Sequence, residues 1–194
     1  MRAGAATASV FVLFLAACAP MSVSFYRPDA VHGKVVKAWC PPVHSIILFE
    51  VHEVVVGFEV SSSQENRVLV TMTLEIPEKN SVQLIDHSVE ILSSTQARLR
   101  GDLSGRVWVS AGRTGEISLR TPMHGKTEKS LFDQITRYGK TKHAYYFLRA
   151  EIAAVPFENL SLKPPRFLVN GMQVDLPVIS FSRINESYIG SLNC

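Results

Sequence analysis

The stretch Arg67–Pro77 reads R-V-L-V-T-M-T-L-E-I-P, and its strict alternation constrains the fold more than any other feature of the chain. Val68, Val70, Met72, Leu74 and Ile76 fall on one side of an extended backbone. Leu69, Thr71, Thr73 and Glu75 fall on the other. Successive side chains of a strand point to opposite faces, so this period of two predicts a half-buried strand and excludes a helical stripe. Residues 53–60 repeat the pattern, with Val54, Val56, Phe58 and Val60 on one face. The polar segment 61–66 between the two runs predicts a hairpin.

The same period recurs along the chain. Short strands are predicted at about 81–85, 88–93, 96–100, 106–110 and 115–120, punctuated by Gly101, Asp102, Gly105, Gly112 and Gly115. Residues 145–155 give the longest run, with Tyr146, Leu148, Ala150, Ile152 and Ala154 on one face. Near the end, Phe167-Leu168-Val169 and Met172-Gln173-Val174 flank Asn170-Gly171, a dipeptide suited to a tight hairpin because both residues tolerate positive φ. A last strand is predicted at 178–183. Pro164-Pro165 and Pro177 disfavour central-strand pairing where they stand. One segment departs from the pattern. Leu131, Phe132, Ile135 and Tyr138 have helical spacing, Thr127 or Ser130 can cap their start, and Gly139 suits their end, so a short helix is expected at 128–138. The reading is an all-β chain: an immunoglobulin-like β-sandwich of about eight strands with one short crossover helix.

The N-terminus has a different character. Arg2 is the only charge before Cys18, and Val10-Phe11-Val12-Leu13-Phe14-Leu15 is an apolar run too short for the ~20 residues that span a bilayer. A positive charge, a short apolar run and small residues in that order describe a secretory signal. Leu15-Ala16-Ala17-Cys18 resembles the lipobox of bacterial lipoproteins. The resemblance implies that the Cys18 thiol carries a diacylglyceryl group, that the chain is cut before Cys18, and that the new amino group is acylated, with palmitate or a similar chain. It covers the first 18 residues and implies an address, not an activity. Two or three acyl chains give durable attachment where one is marginal. Ala19, in place of an aspartate, leans towards the outer membrane facing the periplasm. The expected organisation is therefore a signal peptide at 1–17, a lipidated tether at 18–33 and a β-sandwich domain at 34–194. The chain resembles small β-rich envelope lipoproteins of unknown function, and the lipobox is the only specific link.

The chain has three cysteines. In an exported protein with Cys18 acylated, Cys40 and Cys194 are candidates for a disulfide, free thiols or, least of all, a metal site with His44 and His52. A bridge closing so long a loop stabilises by roughly 5 kcal/mol in the chain-entropy view, less any strain.

Charge is balanced but uneven. The chain has 20 Lys and Arg against 17 Asp and Glu, and loses one of the former with Arg2. Residues 101–149 hold nine Lys or Arg and four acids. Within them Lys126, Lys129, Arg137, Lys140 and Lys142 form a candidate basic face towards anionic envelope polymers, lipids or envelope proteins, the alternative being a solvated surface. Nucleic acid is not expected in that compartment. No zincin motif, nucleophile elbow, phosphate-cradling glycine loop or dinucleotide fingerprint is present, and no cofactor or metal is expected. Asp86, His87 and Ser88 have hydrolase-like composition, but adjacent residues diverge too much to work together. Trp39 and Trp108 are read as packing residues. The expected function is a lipid-anchored, noncatalytic binding or scaffolding domain. The alternatives are a carrier of a hydrophobic ligand, which needs a large apolar cavity, and an enzyme of unrecognised type.

Overall fold

The computed structural model describes residues 21–38, 43–63, 66–94, 97–110, 113–126, 143–154 and 157–188. They form sixteen strands: β1 Met21–Pro28, β2 Lys34–Val36, β3 Ile46–Val51, β4 Val54–Ser63, β5 Arg67–Pro77, β6 Ser81–Leu84, β7 Ser88–Ser93, β8 Arg98–Asp102, β9 Ser104–Ser110, β10 Arg113–Ile117, β11 Met123–His124, β12 His143–Ala153, β13 Asn159–Lys163, β14 Phe167–Val169, β15 Met172–Val174 and β16 Ile179–Tyr188. All pairing is antiparallel, in three sheets ordered β10-β9-β12-β5-β4-β3-β2, β1-β16-β13-β7-β8 and β11-β6-β14-β15.

The alternating runs do what their period demands. In β5, Val68, Val70, Met72, Leu74 and Ile76 are fully buried while the intervening residues are partly covered. β4 and β12 flank β5 and pair with it along most of its length, placing Val60 opposite Val70 and Leu148 opposite Met72. Their inward rows join Tyr26, Ile91, Leu162, Phe167, Val169 and Phe181 in one hydrophobic core shared by all three sheets. Burying such a side chain contributes about 1.5–3 kcal/mol, set against the entropy of ordering the strands. Gly101 of β8 lies against Ile152 and Ala150 of β12, where the smaller sheet approaches the larger one. Asn170 and Gly171 take φ of 51° and 83°, making the tight hairpin expected between β14 and β15.

Several expectations need correction. The strands number sixteen among the described residues, in three sheets, where about eight were expected. Inside the expected tether, Met21–Pro28 is β1, paired residue for residue with β16 from Met21 opposite Tyr188 to Pro28 opposite Phe181. Lys34–Val36, Ile46–Val51, Met123–His124 and Asn159–Lys163 are further strands that the alternation did not disclose. For β3 the reason is plain: Ile46-Ile47-Leu48-Phe49 is a continuous apolar run without alternation, and its two-residue turn to β4 is His52-Glu53, both at positive φ without a glycine. The Asn80 side-chain amide donates to the His52 carbonyl at 2.7 Å and supports that turn. The helix expected at 128–138 lies outside the described residues.

Candidate functional site

On the outer face of the five-stranded sheet, Ser88 and Glu90 alternate outward from β7, Arg98 and Arg100 from β8, and Lys163 from the end of β13. Pro164-Pro165 ends β13, and Arg166 turns back beneath the loop that carries Asp86. These residues enclose an open cleft of about 460 Å³ lined by Asp86, Ser88, Glu90, Arg100, Lys163, Pro164 and Arg166.

The cleft is rigid on one side. The Arg166 guanidinium donates to both oxygens of Asp86, at 2.9 Å from Nε and 3.1 Å from Nη2, and the Arg166 backbone N–H donates to the same carboxylate at 3.2 Å. The Arg166 carbonyl in turn accepts from the backbone N–H groups of Ile85 and Asp86. This paired fork holds the Asp86 carboxyl below its ordinary range; the hydrogen bond from Arg166 is the main cause, and Lys163 adds to it through its charge. The other side is cationic and less committed. Arg100 Nε donates to Ser88 Oγ at 2.8 Å, and Glu90 stands opposite both Arg100 of β8 and Lys163 of β13. Arg98 lies 3.7 Å from Glu90. Among the described residues, neither Arg100 nor Lys163 has a carboxylate within ion-pair distance.

A second open cleft, of about 500 Å³, adjoins the first across Asp86-His87-Ser88 and is lined by His87, Asp102, Ser104, Arg106, Glu116 and Arg120 with the apolar Leu103, Ile117 and Leu119. Asp86 and His87 thus face different clefts, as their adjacency implied. No hydrogen bond joins His87, Asp102 and Ser104 among the described residues, and Ser104 Oγ donates to the Arg149 carbonyl at 3.2 Å. The serine is committed to structure rather than poised beside a base.

A third group lies at one end of the β5–β12 pair. His143, 6% exposed, places Nδ1 2.8 Å from Glu75 Oε1, though the two atoms are not aligned as a hydrogen bond. Tyr145 bonds the same carboxylate, and burial, then the Glu75 charge, push its phenol well above its ordinary range. Tyr146 donates to the His124 carbonyl at 2.8 Å, tying β12 to β11.

Of the residues singled out from sequence, Cys18, Cys40, Cys194, Trp39, Lys129, Arg137, Lys140 and Lys142 lie outside the described residues. Lys126 is described: it is 3.6 Å from Glu78 and highly exposed, so its charge is partly answered. No group of three or more metal-capable side chains occurs among the described residues. Sequence reasoning missed Arg100, Lys163 and Arg166. Arg98 and Arg100 carried a usable signal, since both fall on the outward side of a predicted strand. The meeting of Arg166 with Asp86, eighty positions apart, had none. Compared with known proteins, the chain matches no family model, no curated protein and no solved structure.

Proposed function

We propose that this is a lipid-anchored bacterial cell-envelope protein, held at the outer membrane through Cys18, whose all-β domain binds an anionic group without catalysing a reaction. The cleft around Arg100 and Lys163 carries this reading. Arg100 and Lys163, each opposite Glu90 across a strand pair but with no carboxylate within ion-pair distance among the described residues, stand beside a locked Asp86–Arg166 fork, and charge-assisted contacts to such cations are among the stronger polar interactions. Three observations favour binding over chemistry. Asp86 is a poor base because Arg166 holds it ionised. Ser104 is engaged with backbone. His87 and Asp86 open onto separate clefts. A hydrophobic-ligand carrier is less favoured: the two large clefts carry charged side chains, and the smaller hollows by Ile47 and Val178 and by Leu48 and Val55, about 130 and 330 Å³, are lined by charged and polar as well as apolar residues. For the fold, we carry the immunoglobulin-like sandwich as part of this proposal. The five- and seven-stranded sheets that share the core support it, and the four-stranded sheet is additional to it. The Cys40–Cys194 bridge likewise belongs to the proposal.

The test of the address is Cys18→Ser, which should abolish palmitate labelling and membrane fractionation. Unchanged labelling would refute the anchor. For the cleft, Arg100→Glu with Lys163→Glu should weaken binding of a soluble polyphosphate at moderate salt by roughly tenfold or more. Equal binding before and after would return those cations to the role of solvated surface.

A further inference from the structure

Asn170-Gly171, the one Asn-Gly dipeptide of the chain, carries a chemistry that its role as a turn does not use. The backbone nitrogen of a glycine can attack the side-chain carboxamide carbon of the asparagine before it, because glycine has no Cβ to block the approach. The new N–Cγ bond closes a cyclic imide. The carboxamide nitrogen leaves as ammonia, taking the proton that the glycine nitrogen gives up. Water then adds to either imide carbonyl. Breaking the N–Cγ bond leaves aspartate. Breaking the bond to the main-chain carbonyl leaves isoaspartate, in which the backbone runs through the side-chain carbons.

The turn presents this pair openly. Asn170 and Gly171 are exposed, and nothing lies within 4 Å of the place where a Cβ would stand on Gly171. β15 is an edge strand of three residues that pairs with β14, and Val174 is its one buried side chain. A hairpin held by so little opens locally at small cost. Its restraint is Ser81, at the start of β6. The Ser81 backbone N–H donates to Asn170 Oδ1 at 2.8 Å, its hydroxyl donates to the same oxygen at 3.4 Å, and its carbonyl accepts from the Asn170 N–H at 3.0 Å. These bonds fix the carboxamide at Ser81, so turning its carbon onto the Gly171 nitrogen breaks them. Asn80-Ser81 is a contrast in the same place. Asn80 is buried, its amide donates to the His52 carbonyl at 2.7 Å, and the nitrogen that would attack it is the Ser81 nitrogen already bonded to Asn170.

We propose that Asn170 is a site of spontaneous covalent modification, converting to aspartate and isoaspartate through Gly171, and that its hydrogen bonds to Ser81 set the rate. The two products differ in consequence. Aspartate keeps an oxygen to accept from the Ser81 N–H and leaves the hairpin in place. Isoaspartate lengthens the backbone of the turn and breaks the register that sets Val169 opposite Met172.

The test incubates the full chain for several weeks in mildly alkaline buffer, either folded or in concentrated guanidinium chloride. The peptides carrying Asn80 and Asn170 are then read by mass spectrometry. The expected result is conversion at Asn170 in both samples, slower in the folded chain by roughly tenfold or more, since reaction there waits on the open fraction of the turn. Asn80 should stay unmodified in the folded chain. Ser81→Pro removes the N–H donor at a first strand position, where proline is tolerated, and should narrow the gap to within about threefold. Should that variant not fold, amide exchange of Ser81 in the wild-type chain replaces it: the open fraction it reports should match the ratio of the two rates. A mismatch would overturn the control by Ser81, as would equal rates in the folded and unfolded chains or an unchanged gap in a folded Ser81→Pro chain. Absence of conversion at Asn170 in the folded chain would show the turn sealed and overturn the site. Asn170→Gln should abolish the product, and its persistence would place the modification at another residue.

Discussion

β5 with β12 and β1 with β16 are both long antiparallel pairs, but they sit in different surroundings. The first pair runs through eleven partners, from His143–Pro77 to Ala153–Arg67, with β4 and β9 completing the sheet on either side. Its inward row is wholly buried. The second pair has eight partners, forms the sheet edge on the β1 side, and overhangs β13 towards Tyr188. The first builds the core; the second carries the chain from the fold to Cys18. Stability is concentrated where a strand is covered on both edges and one face, while an overhanging ribbon can open locally without loss of the core.

That difference can be broken or sharpened by experiment. Leu148→Ala, in the centre of β12 and opposite Met72, should cost about 3 kcal/mol or more in urea unfolding, because it leaves a cavity in a fully packed row. Ile184→Ala in the ribbon, partly exposed, should cost under about 1 kcal/mol. Equal costs would erase the distinction. Between these lies Tyr26→Phe: Tyr26 is buried where the ribbon enters the core, and its hydroxyl donates to the Phe157 carbonyl at 2.9 Å, so its loss should cost about 1 kcal/mol. Native-state hydrogen exchange should show β5 and β12 amides opening only with global unfolding and amides of 184–188 opening by fraying; equal protection would mean that the ribbon is integral to the core.

The smallest effect is at the cleft. Asp86 titrates below its ordinary range in the folded chain, so its pairing with Arg166 contributes stability that is complete above the unfolded aspartate value and is lost as pH falls through the lower folded value. Arg166→Gln should bring the Asp86 titration back up towards the ordinary carboxylate range and flatten the acid limb slightly. An unmoved titration by NMR would show that Arg166 is not the cause.

The central strands were legible because each puts one apolar face against one polar face. Val68 to Ile76 and Tyr146 to Ile152 keep that contrast over their full lengths. The ribbon was not legible for the opposite reason. Phe25 and Tyr26 are neighbours pointing to opposite sides, yet both are buried: Tyr26 enters the core, and Phe25 lies on the other face beneath the Arg27 guanidinium. A strand covered on both faces at one end and overhanging at the other has no single period. For β3 the continuous apolar run concealed the strand in the same way. The cleft was half legible. Outward arginines of a predicted strand could be placed on a face, but Asp86, Lys163 and Arg166 are joined only by the turn at Pro164-Pro165 and by sheet register, which local sequence does not encode.

The intact, non-reduced mass of the chain taken from its native membrane tests the anchored-domain reading most directly. The expected result is residues 18–194 plus acyl chains, two hydrogens light if Cys40 and Cys194 are joined. A mass that retains residues 1–17 without lipid would contradict the anchor.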